Sequence, residues 1–273
     1  HLYGKSIGEE ARYRKKDILL GPGVNIYRTP LNGRNFEYMG EDPYLSATMV
    51  VPYIKGVQEN GVAACVKHYA LNNQEFNRHT TNVQLSDRAL YEIYLPTFKA
   101  AVQEGGTWSI MGSYNLYQGE HACHNKRLLK DILRDEWGFD GAVITDYADH
   151  HSFMNGDQAL RAGGSLWMSG MMGGQLSCET GSNSYMQALR RAAKETLYMY
   201  LHVRVTNRDY AESIGDTAAL RHDFKPAVLG WRHLVALIDL VAVALFALAI
   251  RGIVRDVKLY KAAKAAKAEN KNA

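Results

Sequence analysis

From residue 1 to about residue 203, short apolar runs alternate with amphipathic ones, the βαβα rhythm of a parallel sheet covered by helices. Five runs read as strands: Ile18 to Ile26, Val62 to Tyr69, Trp108 to Tyr114, Gly141 to Asp146 and Ser165 to Met168. Ser86 suits the N-cap of a helix whose apolar stripe is Leu90, Tyr94, Phe98 and Ala101. After Asn125, Leu129, Ile132 and Leu133 form a second stripe until Gly138 stops the helix. A third helix is predicted from about Ser184 to His202, with Met186, Leu189, Ala193 and Leu197 on one apolar face. The pattern predicts an α/β fold, a partial (β/α)8 TIM-like barrel over residues 1–205. Five strands are too few to close eight, so the first strands are expected upstream of His1.

Beyond the barrel the pattern changes. Leu234 to Ile250 is a run of 17 residues with Asp239 as its one polar member, near the lower limit for crossing a bilayer core of about 30 Å. Arg251, Arg255, Lys258 and Lys261 follow at once as a basic flank. The expected order is therefore a linker over 206–230, a transmembrane helix over 231–254 and a basic, Lys/Ala-rich tail over 255–273. The bias of basic residues after the span predicts a single-pass membrane protein with the barrel extracytoplasmic and the tail inside. The buried-core-helix alternative for this run is the weaker one, given that flank.

Composition narrows the classes. At 47 % apolar and 10 % aromatic, 273 residues can bury a sizeable core, which excludes wholesale disorder and small disulfide scaffolds. The net charge is +4, but residues 251–273 carry seven Lys/Arg against Asp256 and Glu269. Without that tail there is no basic excess, so no nucleic-acid partner is expected. Cys65, Cys123 and Cys178 cannot all pair.

In a parallel barrel, reactive groups gather at the carboxyl ends of strands. One predicted strand ends at Lys67-His68, another at Tyr114-Asn115, a third at Asp146. Singly, each has a plain structural use, as an ion pair or a helix cap. Together they point to a polar-ligand pocket rather than a cofactor cleft, and no cofactor is expected.

Ordered motifs sharpen this. Leu20 to Ile26 (LGPGVNI), Gly33 to Pro43 (GRNFEYMGEDP), Val66 to Tyr69 (VKHY) with Asn72 to Glu75 (NNQE), Met111 to Asn115 (MGSYN), Glu136 to Gly141 (EWGFDG) and Val143 to Tyr147 (VITDY) resemble, in sequence order, the signatures of glycoside hydrolase family 3, β-glucosidase-like branch. The resemblance runs to about His202. It implies retaining hydrolysis of a terminal β-linked sugar, with Asp146 as the nucleophile. It further implies that Arg34, Lys67 and His68 donate hydrogen bonds to sugar hydroxyls and that Tyr114 packs near the reacting ring. Tyr147 stands where the family has a tryptophan, leaving a shorter aromatic platform. A neighbouring cation such as Lys67 is expected to lower the carboxyl pKa of Asp146.

The resemblance also implies what is missing. The early sugar-binding Asp has no counterpart, and the acid/base of most members sits on a separate α/β sandwich domain, expected upstream in the full-length protein. The N-acetylglucosaminidase branch, whose acid/base is an Asp-His pair, does not fit, because Lys67-His68 runs into Tyr69-Ala70-Leu71 and His79 lacks the Asp. Two other classes remain as alternatives. One is a non-catalytic sugar-binding membrane protein descended from the enzyme. The other is a metal-dependent barrel hydrolase using Asp149-His150-His151, with His121, Cys123 and His124 as a further, weaker metal-ligand set.

Overall fold

The computed structural model describes residues 1–148, 155–168, 181–213, 239–241, 248–252 and 255, with side chains described to Val203 in the long helix that ends at Ser213. The chain divides into two units, His1–Arg221 and His222–Ala273.

In the first unit the elements are, in order, α1 (Leu2–Tyr13), β1 (Ile18–Leu19), α2 (Pro43–Gln58), β2 (Ala63–Tyr69), β3 (Asn82–Val83), α3 (Asp87–Ala89), a π-helical turn (Leu90–Tyr94), α4 (Pro96–Gln103), β4 (Ser109–Gly112), β5 (Leu116–Tyr117), β6 (Glu120–His121), a π-helix (Arg127–Glu136), β7 (Ala142–Ile144), α5 (Gly156–Ala162) and α6 (Asn183–Ser213). The main sheet has the order β1-β2-β4-β7, all pairs parallel. A parallel bridge from Ile144 to Leu166 continues it by one more position. Among the described residues the sheet is thus a run of successive parallel strands, as the alternating pattern predicts. A small second sheet, β3-β5-β6, is built from residues that follow β2 and β4.

Local chemistry explains the elements. Asp42 caps α2 by accepting from the backbone N–H groups of Tyr44 and Leu45 at 2.8 and 3.1 Å, and Pro43 opens the helix where no N–H is needed. Ser86 caps its helix through Ala89 N, and Leu90, Phe98 and Ala101 are fully buried. Asn125 Oδ1 accepts from Leu128 N at 3.0 Å, and Leu129, Ile132 and Leu133 enter the core. The first predicted strand is shorter than its apolar run: only Ile18–Leu19 are ladder residues, with a single bridge at Gly23 beyond Pro22, which cannot donate. Helix-facing side chains Ala64, Val66, Ile110 and Val143 join the main core, while Cys65, Met111 and Ile144 fill a smaller cluster.

α6 departs from its predicted rotation. Met186, Leu189 and Leu197 are 43, 39 and 58 % exposed, whereas Ala192, Glu195, Met199 and Val203 are buried. The cause is an ion pair: Glu195 Oε2 takes Arg134 Nη2 at 2.8 Å and the Ser165 hydroxyl at 2.7 Å, with Arg191 Nε 3.6 Å from Oε1. A carboxylate held inside by two guanidinium groups sets the face, and the apolar stripe turns outward.

The second unit is described as helix at Asp239–Val241, Leu248–Gly252 and Arg255. The expectation of a membrane protein with an extracytoplasmic barrel is corrected here: among the described residues no helix is long and apolar enough to cross a membrane. The apolar run, at 17 residues, stands at the bottom of the range that spans a bilayer, and Asp239 interrupts it. Most of the predicted span 231–254, the linker from residue 214 and nearly all of the tail lie outside the described residues.

Candidate active site

Asp146 lies two residues past the end of β7, and its side chain is 12 % exposed. Opposite it, β2 ends in Lys67-His68, where a strict two-residue period would put one side chain on each face of the sheet. The β2–β4 register shifts between Val66 and Tyr69, and both side chains reach the site. Asn25 holds this stretch from the next segment, donating to His68 O at 2.9 Å and accepting from His68 N at 2.8 Å. His68 Nε2 is then 3.6 Å from Asp146 Oδ2.

A chain of alternating charge runs from Lys67. Its Nζ is 3.4 Å from Glu37 Oε2; Glu37 also accepts from Arg34 Nε; Arg34 Nη1 is 3.6 Å from Glu75 Oε1; and Glu75 Oε2 takes Arg78 Nη1 at 2.8 Å. Gly33 makes this possible, because at φ +97° its backbone turns beside Glu75 where a Cβ would meet that side chain at 3.2 Å. Arg78 continues the arc with its guanidinium carbon 4.5 Å from the ring centre of Tyr114. The Tyr114 hydroxyl donates to Tyr147 O at 2.6 Å, and Tyr147 N–H donates to Asp146 Oδ1 at 2.7 Å. On the other flank, Tyr38 OH lies 3.2 Å from His68 Nδ1, and Asn72 Nδ2 donates to Tyr38 OH at 3.2 Å and to Glu75 Oε1 at 2.9 Å. Gly23 leaves room for Tyr38, whose ring would sit 2.8 Å from a Cβ there.

All six residues singled out in the sequence, Arg34, Lys67, His68, Tyr114, Asp146 and Tyr147, fall on this one closed network. Tyr147 joins it through its backbone, with its residue 42 % exposed. The sequence reading missed Glu37, Tyr38, Asn72, Glu75 and Arg78. The first four stand inside quoted motifs, whereas Arg78 follows Glu75 at a turn and carries no periodic signal.

The electrostatics differ from expectation in one respect. Burial pushes the Asp146 carboxyl above its ordinary value, and the Tyr147 N–H with the charges of Arg78, Arg34 and Lys67 opposes that without reversing it. Lys67 thus acts in the expected sense but loses to desolvation. His68 is driven well below the usual imidazole range by burial and by Arg34, Lys67 and Arg78, so it faces Asp146 as a neutral ring. The Tyr114 phenol is raised, first by burial and then by the Asp146 charge, and stays a donor.

Of the metal-ligand candidates, Asp149, His150 and His151 lie outside the described residues. His124 is buried beside His121, and burial, with that neighbour, lowers its pKa to about 4. Among the described residues no group of three His, Cys, Asp or Glu could hold a metal ion.

Residues 2–197 match the glycosyl hydrolase family 3 N-terminal domain. The chain belongs to glycosyl hydrolase family 3. Within this family it is 73 % identical over 149 residues to β-glucosidase BoGH3A of Bacteroides ovatus, covering 55 % of this chain and 20 % of that relative. It is 49 % identical over 151 residues to the exo-α-(1→6)-L-arabinopyranosidase of Bifidobacterium longum, covering 55 % and 20 %. The structure of β-glucosidase 3B from Thermotoga neapolitana in complex with glycerol superposes with a TM-score of 0.65 at 38 % identity, covering 75 % of this chain and 30 % of that one. β-Glucosidase from Kluyveromyces marxianus in complex with glucose gives 0.69 at 30 %, covering 83 % and 27 %. The match thus spans about a fifth of each of those two curated relatives.

Proposed function

We propose that this family 3 chain carries the nucleophile side of a retaining glycosidase that acts on terminal β-linked sugars in the manner of a β-glucosidase. One observation carries the reading: the Asp146 carboxylate stands 3.6 Å from a neutral His68, at strand ends ringed by Lys67, Arg34 and Arg78. A carboxylate acceptor with cationic side chains in its field suits a sugar ring, each of whose hydroxyls needs a partner on leaving water.

In this reading Asp146 attacks the anomeric carbon while the bond from that carbon to the leaving oxygen breaks, giving a glycosyl ester that water later cleaves. Arg34, Lys67 and His68 bind hydroxyls, Tyr114 borders the ring and Tyr147 offers its platform. The proton for the leaving group comes from an α/β sandwich domain of the full-length protein, so this chain alone turns over natural glycosides poorly. Activated leaving groups need no such proton.

The test is labelling with 2,4-dinitrophenyl 2-deoxy-2-fluoro-β-D-glucoside and peptide mass spectrometry. A stable adduct on the peptide holding Asp146, absent in Asp146→Asn, supports the reading; an adduct elsewhere, or none, overturns it. The matching α-L-arabinopyranoside reagent, which lacks the hydroxymethyl group and has the opposite configuration at C4, reports which sugar the site accepts.

A further inference from the structure

Tyr114 is contacted by two consecutive residues. Arg78 places its guanidinium carbon 4.5 Å from the ring centre, and the His79 imidazole centre lies 4.3 Å away with the ring planes at 46°. A turn at Asn77, φ +54°, puts both there; Asn77 O accepts from Thr80 N and Thr81 N at 2.9 Å each. Arg78 is anchored at the far side by Glu75. Tyr114 is 4 % exposed, and His79, itself exposed, forms part of its cover.

The Tyr114 hydroxyl bonds the Tyr147 carbonyl, and the N–H of that same residue bonds Asp146 Oδ1. Any pivot of the Tyr114 ring is therefore transmitted to the backbone that aims the carboxylate. The ring belongs to a small buried cluster with Cys123, Ala148 and Ala159, and Arg78 and His79 add to that packing a cation–π and a tilted ring contact.

We propose that His79 is a positioning residue for the Asp146 chemistry, closing with Arg78 a two-part clamp on Tyr114. The proposal rests on the glycosidase reading above. It assigns to His79 no contact with the sugar: its action on Asp146 passes through Tyr114 and the Tyr147 peptide.

The experiment compares the chain with its His79→Ala and His79→Phe variants in labelling by 2,4-dinitrophenyl 2-deoxy-2-fluoro-β-D-glucoside, after thermal melts show that all three fold. The clamp predicts that His79→Ala slows the first-order labelling step about three- to tenfold at an unchanged concentration dependence. His79→Phe, which keeps a ring in place, restores the rate. An unchanged rate in His79→Ala, no rescue by Phe, or a change confined to the concentration dependence overturns the proposal, the last because it would mean direct sugar contact. Should the parent chain take no label at Asp146, the glycosidase reading fails and proton NMR judges the clamp. The His79 ring resonances must then move in Tyr114→Leu, where the neighbouring ring current is lost; unmoved resonances overturn the clamp too.

Discussion

Nε2 of His68 faces Oδ2 of Asp146 at 3.6 Å, while Nδ1 of the same ring faces the Tyr38 hydroxyl at 3.2 Å. Burial and three nearby cations keep the ring neutral, so one of its nitrogens donates and the other accepts. When the Tyr38 O–H, 3.2 Å from Nδ1 and 3.5 Å from Asn72 O, donates to the ring, Nε2 carries the hydrogen and turns it toward the carboxylate. Asn72 Nδ2, by donating to the Tyr38 oxygen, orients that hydroxyl. Tyr38→Phe removes the donor and frees the tautomer. The expected outcome is a shift in the His68 nitrogen-15 resonances toward a mixture, with Asp146 labelling slowed about tenfold. Resonances identical to those of the parent would show that Tyr38 does not select the tautomer.

Asp146 has a folded carboxyl raised above its ordinary value, chiefly by burial. For such a group the stabilising contribution is complete below the ordinary carboxylate range and is lost as pH rises through the raised value. At neutral pH the ionised carboxylate therefore costs stability, the usual position of a group kept for reaction. Asp146→Asn is expected to abolish labelling yet raise the melting temperature at pH 7 by a few degrees, about 1–2 kcal/mol. The gap should close below about pH 4, where the parent carboxyl is itself protonated. A lower melting temperature for Asp146→Asn at pH 7 would contradict the sign.

Glu37 is the reverse case. Burial pushes its carboxyl up, but the Arg34 bond and the Lys67 and Arg34 charges outweigh it, and the net displacement is downward. Its stabilisation is present above the ordinary carboxylate range and is lost as pH falls through the lowered value. Glu37→Gln leaves Lys67 and Arg34 without the anion they share. Destabilisation of roughly 1–3 kcal/mol at pH 7 is expected, shrinking toward pH 3, together with about tenfold weaker concentration dependence in labelling. Equal melts at both pH values would remove Glu37 from the network.

The parts of the site legible from sequence were those tied to strand ends. Lys67, His68 and Asp146 could be located because parallel strands fix where their carboxyl ends point, and the described structure joins them. Glu37 and Tyr38 stand in a motif but act through contacts 30 residues away or more, which no local pattern carries. Arg78 depends on a turn at Asn77 whose positive φ is invisible in hydrophobic periodicity. The balance between burial and charge at Asp146 was likewise unreadable, since it needs the depth of the pocket as well as the neighbours' identities. The helix expected after Ser86 is found in pieces, a short turn, a π-helical turn over Leu90–Tyr94 and α4 from Pro96, with Leu90, Phe98 and Ala101 of its stripe buried and Tyr94 half-buried.

α6 is where competition for the core decides, and it yields the last prediction. The apolar positions Met186, Leu189 and Leu197 face outward, while Glu195 goes in, 5 % exposed, against Arg134 at 9 %. Arg134 also donates to the carbonyls of Gly163, Phe139 and Gly141 at 2.8, 3.0 and 3.3 Å, tying the loops on both sides of β7. Burial lowers its pKa to about 10, still far above neutrality, so the pair is ionised on the cationic side. Breaking a buried pair leaves an uncompensated charge and three unsatisfied carbonyls, at a cost of about 3–5 kcal/mol. Replacing an exposed leucine by a charged residue costs less than about 0.5 kcal/mol. Arg134→Ala should therefore unfold at markedly lower urea, and Leu197→Glu at nearly the parent concentration. If the ranking were inverted, with Leu197→Glu the damaging change, the apolar stripe would be the buried face and the rotation of α6 set out above would be wrong.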